Sequence, residues 1–222
     1  MEKMQSNFTI SIVHPTCRPS IARETRSQWL DLSGEPDSIE YLLCIDTDCV
    51  QYPKTKIIKK NSMEFLYPLV DGRSVGPVEK VNFASQNATS HCILFVADDL
   101  SPYKNWDYDI KNCTNWENDV VLRISDNTEE TQKKLHPFLI INPAISRKRY
   151  KKFGYLYHPN FYANFSDNFF SFLAHKDDVV IDEKKIVFYH DQSKYIKQEN
   201  DNPLERRFDQ FQWEMHKSES YM

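Results

Sequence analysis

Apolar residues in this chain come in short unbroken runs closed by polar turns, and the spacing of runs and turns predicts the elements. Phe8-Thr9-Ile10-Ser11-Ile12-Val13 reads as a buried strand stopped by His14-Pro15-Thr16-Cys17-Arg18-Pro19, with a helix from Ser20 to Leu32 behind it. Ile39 to Asp46 is a second strand and Lys56 to Lys60 a short third. The turn formers from Asp71 to Pro77 lead into a helix over Val78 to Ser90, and Ile93 to Ala97 is the next strand. Strands alternating with helices predict an α/β fold with a mostly parallel central sheet flanked by helices, whose ligands gather outside the carboxyl ends of the strands. Past residue 100 the pattern predicts strands over Asp119 to Ile124 and Phe138 to Ile141, and helices over Ser146 to Phe153, closed by Gly154, and Asn168 to His175. A hairpin of Val179-Val180-Ile181 and Ile186-Val187-Phe188 is expected around Asp182-Glu183-Lys184-Lys185, running into Tyr189-His190. Residues 1–192 read as one domain, and residues 193–222 as a polar tail, helical in part.

Composition narrows the function classes. With 222 residues, 40% of them hydrophobic, the chain can bury a sizeable core, while a formal net charge of −4 gives no global attraction to nucleic acid or anionic membrane. The five cysteines are scattered without any Cys-x-x-Cys spacing, so neither a zinc ribbon nor a disulfide framework is indicated. The opening residues are too short an apolar run for a signal peptide and no stretch approaches a membrane span, so the expected location is the cytoplasm. The four glycines form neither a dinucleotide fingerprint nor a P-loop, which argues against nicotinamide oxidoreductases and P-loop NTPases.

The most chemically informative stretch is Cys92-Ile93-Leu94-Phe95-Val96-Ala97-Asp98-Asp99, an apolar strand ending in two adjacent carboxylates. Hard oxygen ligands at a sheet edge suit Mg²⁺ or Mn²⁺, and such an ion can hold the two phosphates of a nucleotide sugar. A helix cap or solvated turn is the competing reading of the same pair. Two basic runs, Lys54 to Lys60 and Arg147-Lys148-Arg149-Tyr150-Lys151-Lys152, read either as solvated faces or, for the second, as a surface beside a polyanionic acceptor.

The order of these features resembles the GT-A glycosyltransferases, in particular the compact family-2-like members that include enzymes of bacteriophages and other viruses. The likeness runs over residues 8–192. It rests on Ile10 to Arg18 as first strand and nucleotide loop, Tyr41 to Asp46, Ala97-Asp98-Asp99 in place of Asp-x-Asp, Ile145-Ser146-Arg147 with Phe153-Gly154-Tyr155, Asn164 to Asn168, and Val187 to His190. The resemblance implies a metal-dependent transfer of a sugar from a nucleotide-diphosphate donor to a hydroxyl acceptor, either a glycan or a hydroxylated base in DNA. It assigns Asp98, Asp99 and His190 to Mn²⁺ or Mg²⁺, and Thr16, Arg18, Asp46, Asn87 and Asp98 to the donor nucleotide. Asp167 becomes the base that takes the acceptor proton, with inversion at the sugar; a helix N-cap is its alternative. A sugar-nucleotide nucleotidyltransferase is a rival, although Pro15-Thr16-Cys17-Arg18-Pro19 lacks the glycines of its phosphate loop. A non-catalytic binding protein of the same fold is the other.

Overall fold

The structure is a computed structural model that describes residues 8–46, 56–59, 61–67, 76–126 and 138–191. Nine strands form one sheet. In chain order the elements are β1 (Ile10–Thr16), α1 (Pro19–Asp31), β2 (Ile39–Asp46), β3 (Lys56–Lys59), β4 (Ser62–Tyr67), α2 (Pro77–Asn87), β5 (Cys92–Phe95) and β6 (Leu100–Ser101). They continue with α3 (Trp106–Asn112), β7 (Val121–Asp126), β8 (Asn142–Ser146), α4 (Arg147–Phe153), α5 (Ser166–Lys176) and β9 (Val180–His190). The spatial order is β3-β4-β2-β1-β5-β8-β7-β9-β6.

The half of the sheet formed by β4, β2, β1 and β5 is parallel, as the alternation of strands and helices predicts. Alternate residues sort onto its two faces. Ile10, Ile12, Tyr41, Leu43 and Leu94 join Trp29 of α1 and Trp106 of α3 in one core layer. Val13, Leu42, Cys44 and Ile93 join Val78, Val81 and Ala84 of α2 in the other. In the first layer the rings of Trp106 and Phe188 meet Trp29 edge-on with centroids 4.8 and 4.7 Å away, a geometry that adds about 0.5–1.5 kcal/mol per pair beyond area burial.

Several elements differ from expectation, each for a physical reason. β1 runs on through His14-Pro15 to Thr16, because its ladder with β5 ends at Val13 and the missing N–H of Pro15 falls on that vacated side. β4 carries Glu64 in a nearly buried position, which breaks the apolar alternation of a strand; Arg23 and Arg26 of α1 neutralise it at 2.9 Å each. The strand expected over Phe138 to Ile141 lies instead at Asn142–Ser146, where Pro143 sits beyond the last residue paired to β5. The expected hairpin is one eleven-residue strand, β9. Its two halves both pair in parallel with β7, so the chain cannot reverse, and Asp182 to Lys185 form an irregularity between the pairings Arg123↔Asp182 and Ser125↔Val187. The tail at 193–222 and residues 54–55 and 60 of the first basic run lie outside the described residues. Among the described residues no helix is long and apolar enough to cross a membrane.

Candidate active site

The carboxyl ends of β1, β2 and β5 meet at one edge of the sheet, and the chain places its acids there. Two hydrogen bonds from α1 fix the turn after β5: Thr25 Oγ1 donates to the Asp98 carbonyl at 2.8 Å, and the Trp29 indole N–H to the Leu100 carbonyl at 3.0 Å. Asp98 and Asp99 are both almost fully buried within that turn. Expected to act together, they are instead divided between two sets of partners.

Asp98 turns toward β1. Its Oδ1 lies 2.8 Å from His14 Nε2, and its Oδ2 accepts from Thr16 Oγ1 at 3.0 Å and from Arg18 Nε at 2.9 Å. His14 is completely buried and its Nδ1 stands 2.7 Å from the Tyr41 hydroxyl of β2. The Thr16 hydroxyl also accepts the Arg18 amide N–H at 2.8 Å, so the loop that opens α1 is folded around the carboxylate. Burial on its own raises the Asp98 pKa, but the His14 hydrogen bond and charge, the Arg18 charge and the Thr16 hydroxyl outweigh it and hold the carboxyl below its ordinary range. Burial, with the Asp98 charge next, pushes the Tyr41 phenol well above its own.

Asp99 turns the other way. The short strand β6 that follows it pairs with the end of β9, Leu100 opposite His190, and the Asp191 amide donates to the Asp99 carbonyl at 2.8 Å. His190 Nε2 is thereby set 2.9 Å from Asp99 Oδ2, with Asp126 at the end of β7 3.7 Å from Nδ1. The hydrogen bond to Asp99 raises the His190 pKa; partial burial opposes it, and the charges of Asp99, Asp126 and Asp191 add to the rise.

The donor atoms can be tested against a divalent cation. Neighbouring ligands on an octahedral ion with bonds of about 2.1 Å stand about 3.0 Å apart, which matches the Asp99 Oδ2 to His190 Nε2 separation. Both atoms are of a kind that can ligate a divalent cation once no proton lies between them. Both oxygens of Asp98 accept hydrogen bonds, from His14, Thr16 and Arg18. Among the described residues no cluster of three or more His, Cys, Asp or Glu is arranged to hold a metal.

The remaining expected residues divide. Asp46 closes β2 at the same edge as Thr16, which pairs with the preceding Ile45, and its own register partner is Tyr67 of β4. Asn87 is the last residue of α2, the end that leads into the start of β5, and its exposed amide donates to the Phe83 carbonyl at 2.9 Å. It therefore lies at the edge opposite the acids. Asp167 stands in the first turn of α5 and its Oδ1 accepts the Asn168 N–H at 2.9 Å; the cap position itself belongs to Phe165, and Ser166 Oγ donates to the Ala163 carbonyl. Of the basic run, Arg149 and Lys152 are paired with Asp177 at 2.5 and 2.9 Å, and Arg147 Nε donates to the Ser90 carbonyl. Arg149 of the run is thus committed inside the protein, whereas Lys148, Lys151 and Lys152 are exposed.

Two contributors are not evident from motif reading: His14 and Asp126. His14 had a signal, since it continues the inward series Ile10, Ile12 on β1. Asp126 depends on the long-range pairing of β7 with β9. Lys80, near the α2 terminus at the acid edge, is almost wholly buried, an uncommon state for lysine, yet Val78-Glu79-Lys80-Val81 reads as ordinary amphipathic helix.

No protein-family model matches the chain, and no curated protein matches it in sequence. Solved structures do. S. aureus TarS 1-349 superposes with a TM-score of 0.60 at 13% identity, covering 83% of this chain and 60% of that one. The same protein in complex with UDP-GlcNAc gives 0.59 at 15% identity over 83% and 59%. The mannosyltransferase PcManGT from Pyrobaculum calidifontis, in complex with GDP-Man and Mn²⁺, gives 0.59 at 13% over 85% and 58%. This chain spans about 60% of the length of those it matches. The neighbours are glycosyltransferases of the GT-A type, so the fold expected from the sequence is the fold observed.

Proposed function

We propose that the chain is a glycosyltransferase that moves a sugar from a nucleotide-diphosphate donor to a hydroxyl acceptor with the aid of a divalent cation. The observation that carries the reading is the Asp99–His190 pair, brought together at the carboxyl edge by the pairing of β9 with β6 and with β7. Neighbours of the same fold bind UDP-GlcNAc, and GDP-Man with Mn²⁺, which supports a donor of that class.

Asp99 and His190 would hold the ion, which when bound neutralises charge on the departing diphosphate. Asp98, locked by His14, Thr16 and Arg18, keeps the first loop and its guanidinium at the edge where the phosphates would lie. The anomeric carbon loses its bond to the diphosphate oxygen, whose electron pair leaves with the diphosphate, and gains one to the acceptor oxygen. The acceptor proton passes to the Asp167 carboxylate, on the helix face of the sheet opposite α1. Attack from that side while the diphosphate leaves from the other inverts the anomeric configuration.

Thermal unfolding with UDP-, GDP-, CMP- and dTDP-sugars, each with Mn²⁺ or EDTA, tests the donor site. One donor class should raise the melting temperature only with metal, and Asp99→Asn should abolish the rise. No response to any donor with metal present would overturn the reading. Asp167→Asn should keep the donor response and lower transfer by about 10²–10⁴.

A further inference from the structure

Beside Asp167 lies a cavity of about 350 Å³ that the donor site does not account for. Its floor and walls are Val78 and Val81 of α2, Phe95 at the end of β5, Ile141 and Tyr157. The Tyr157 ring is buried, stands edge-on to Phe95 with centroids 5.9 Å apart, and spends its hydroxyl on the Ile141 carbonyl. It therefore shows the cavity its apolar face. The polar side chains are confined to one rim, the 164–168 segment, where Asn164, Ser166, Asp167 and Asn168 are contributed in sequence. Phe165 in the middle of that rim is held at φ 61°, a left-handed conformation that costs a bulky residue energy and is retained where surrounding structure or function demands it. The volume is at the lower end for small-molecule sites and suits one ring rather than an oligosaccharide.

Resting on the glycosyltransferase reading above, the geometry points to an acceptor whose hydroxyl is carried on a compact, flat, largely apolar ring, seated in this cavity with the hydroxyl directed to Asp167. A sugar acceptor carries hydroxyls around its perimeter, and several would be buried against Val78, Val81 and Phe95 without partners, a penalty for each group. A hydroxymethyl-substituted aromatic ring carries one hydroxyl at one end, matching a site whose polar groups lie on one rim. Discrimination follows from the polar groups the site fails to provide, as well as from those it does.

The test titrates the full chain with benzyl alcohol and with methyl α-glucoside, following the methyl resonances of Val78 and Val81 by NMR and ligand binding by saturation transfer. Benzyl alcohol should shift both valines saturably, methyl α-glucoside should not, and Ala163→Trp, which projects an indole into the cavity from its loop, should weaken benzyl alcohol by about tenfold or more. The valine shifts in the unmodified chain serve as the independent readout should the tryptophan variant fold poorly. Binding of the glucoside in preference, or benzyl alcohol binding that leaves both valines unmoved, would overturn the proposal. The metal-dependent donor response is recorded on the same sample, so an acceptor result that fails while the donor stabilises refutes the ring acceptor alone, and loss of the donor response refutes the broader reading.

Discussion

Removing the Asp98 carboxylate perturbs the site most informatively, because three donors from one loop converge on it. In Asp98→Ala, His14 Nε2 and Thr16 Oγ1 lose their acceptor while remaining buried, and Arg18 loses its partner with only 13% of its side chain exposed. Deleting one member of a buried pair costs about 3–5 kcal/mol. For a domain of this size each kcal/mol lowers the melting temperature by about 2–4 °C, so the alanine variant should melt about 6–20 °C below the parent. Asp98→Asn should cost about half as much, for a reason specific to this network. Its amide oxygen can keep Thr16 and Arg18 while its N–H₂ faces His14. His14 can then accept at Nε2 and donate from Nδ1 to the Tyr41 oxygen, 2.7 Å away, by exchanging tautomers. What remains lost is the charge opposite Arg18, about 1.5–3 kcal/mol. Scanning calorimetry at neutral pH, without metal or nucleotide, reads the fold alone. An alanine variant melting within about 2 °C of the parent would refute the claim that this carboxylate organises the loop.

The same network makes Tyr41→Phe a smaller test, since it leaves buried His14 Nδ1 without its hydroxyl partner and should cost about 1–2 kcal/mol by urea unfolding. Gly76→Ala should destabilise by about 1–3 kcal/mol in the same assay, because a Cβ there collides with the Tyr162 carbonyl oxygen, which accepts the Val78 amide at 3.3 Å. For Glu64, burial raises the pKa but the hydrogen bonds and charges of Arg23 and Arg26 prevail and lower it, so its contribution is present above the unfolded value of about 4.3 and lost as pH falls below it. Glu64→Gln should accordingly lower the melting temperature at pH 7 and converge on the parent below about pH 4, whereas a constant gap across that range would show that the pairing does not titrate as described.

What could be read from the sequence was what is local. Runs with one clear period placed β2 at its observed ends and α1 within a residue of them, and an apolar strand ending in acids marked the edge where the site lies. The errors occur where a distant partner decides. Glu64 hides a strand until two arginines of another element are known to neutralise it. Asp182 to Lys185 read as a turn because charged residues between apolar runs usually are one; only the common partner β7 makes them an irregularity within a single strand. Asn87 stands apart from the acids for a directional reason. A helix returning to the start of β5 ends at the edge remote from the acids, so the residues of α2 able to reach them are at its beginning, where Lys80 lies buried.

The division of the acid pair shows how a two-residue motif acquires two jobs. A tight turn leaves consecutive side chains diverging, and what each meets is set by a different part of the sheet. Asp98 meets β1, the parallel partner of β5, and is consumed in holding Thr16 and Arg18. Asp99 meets β9 through the antiparallel strap of β6, and its partner His190 belongs to the half of the sheet where strand directions mix. A cation between Asp99 and His190 would therefore bridge the two halves of the fold, while the charge on Asp98 is already balanced within one. Replacing Asp98, which holds His14, Thr16 and Arg18, should thus disturb folding first and donor binding through it, and replacing Asp99, whose side-chain partner His190 is partly exposed, should lower the melting temperature of the unliganded chain by less while removing its response to metal and donor.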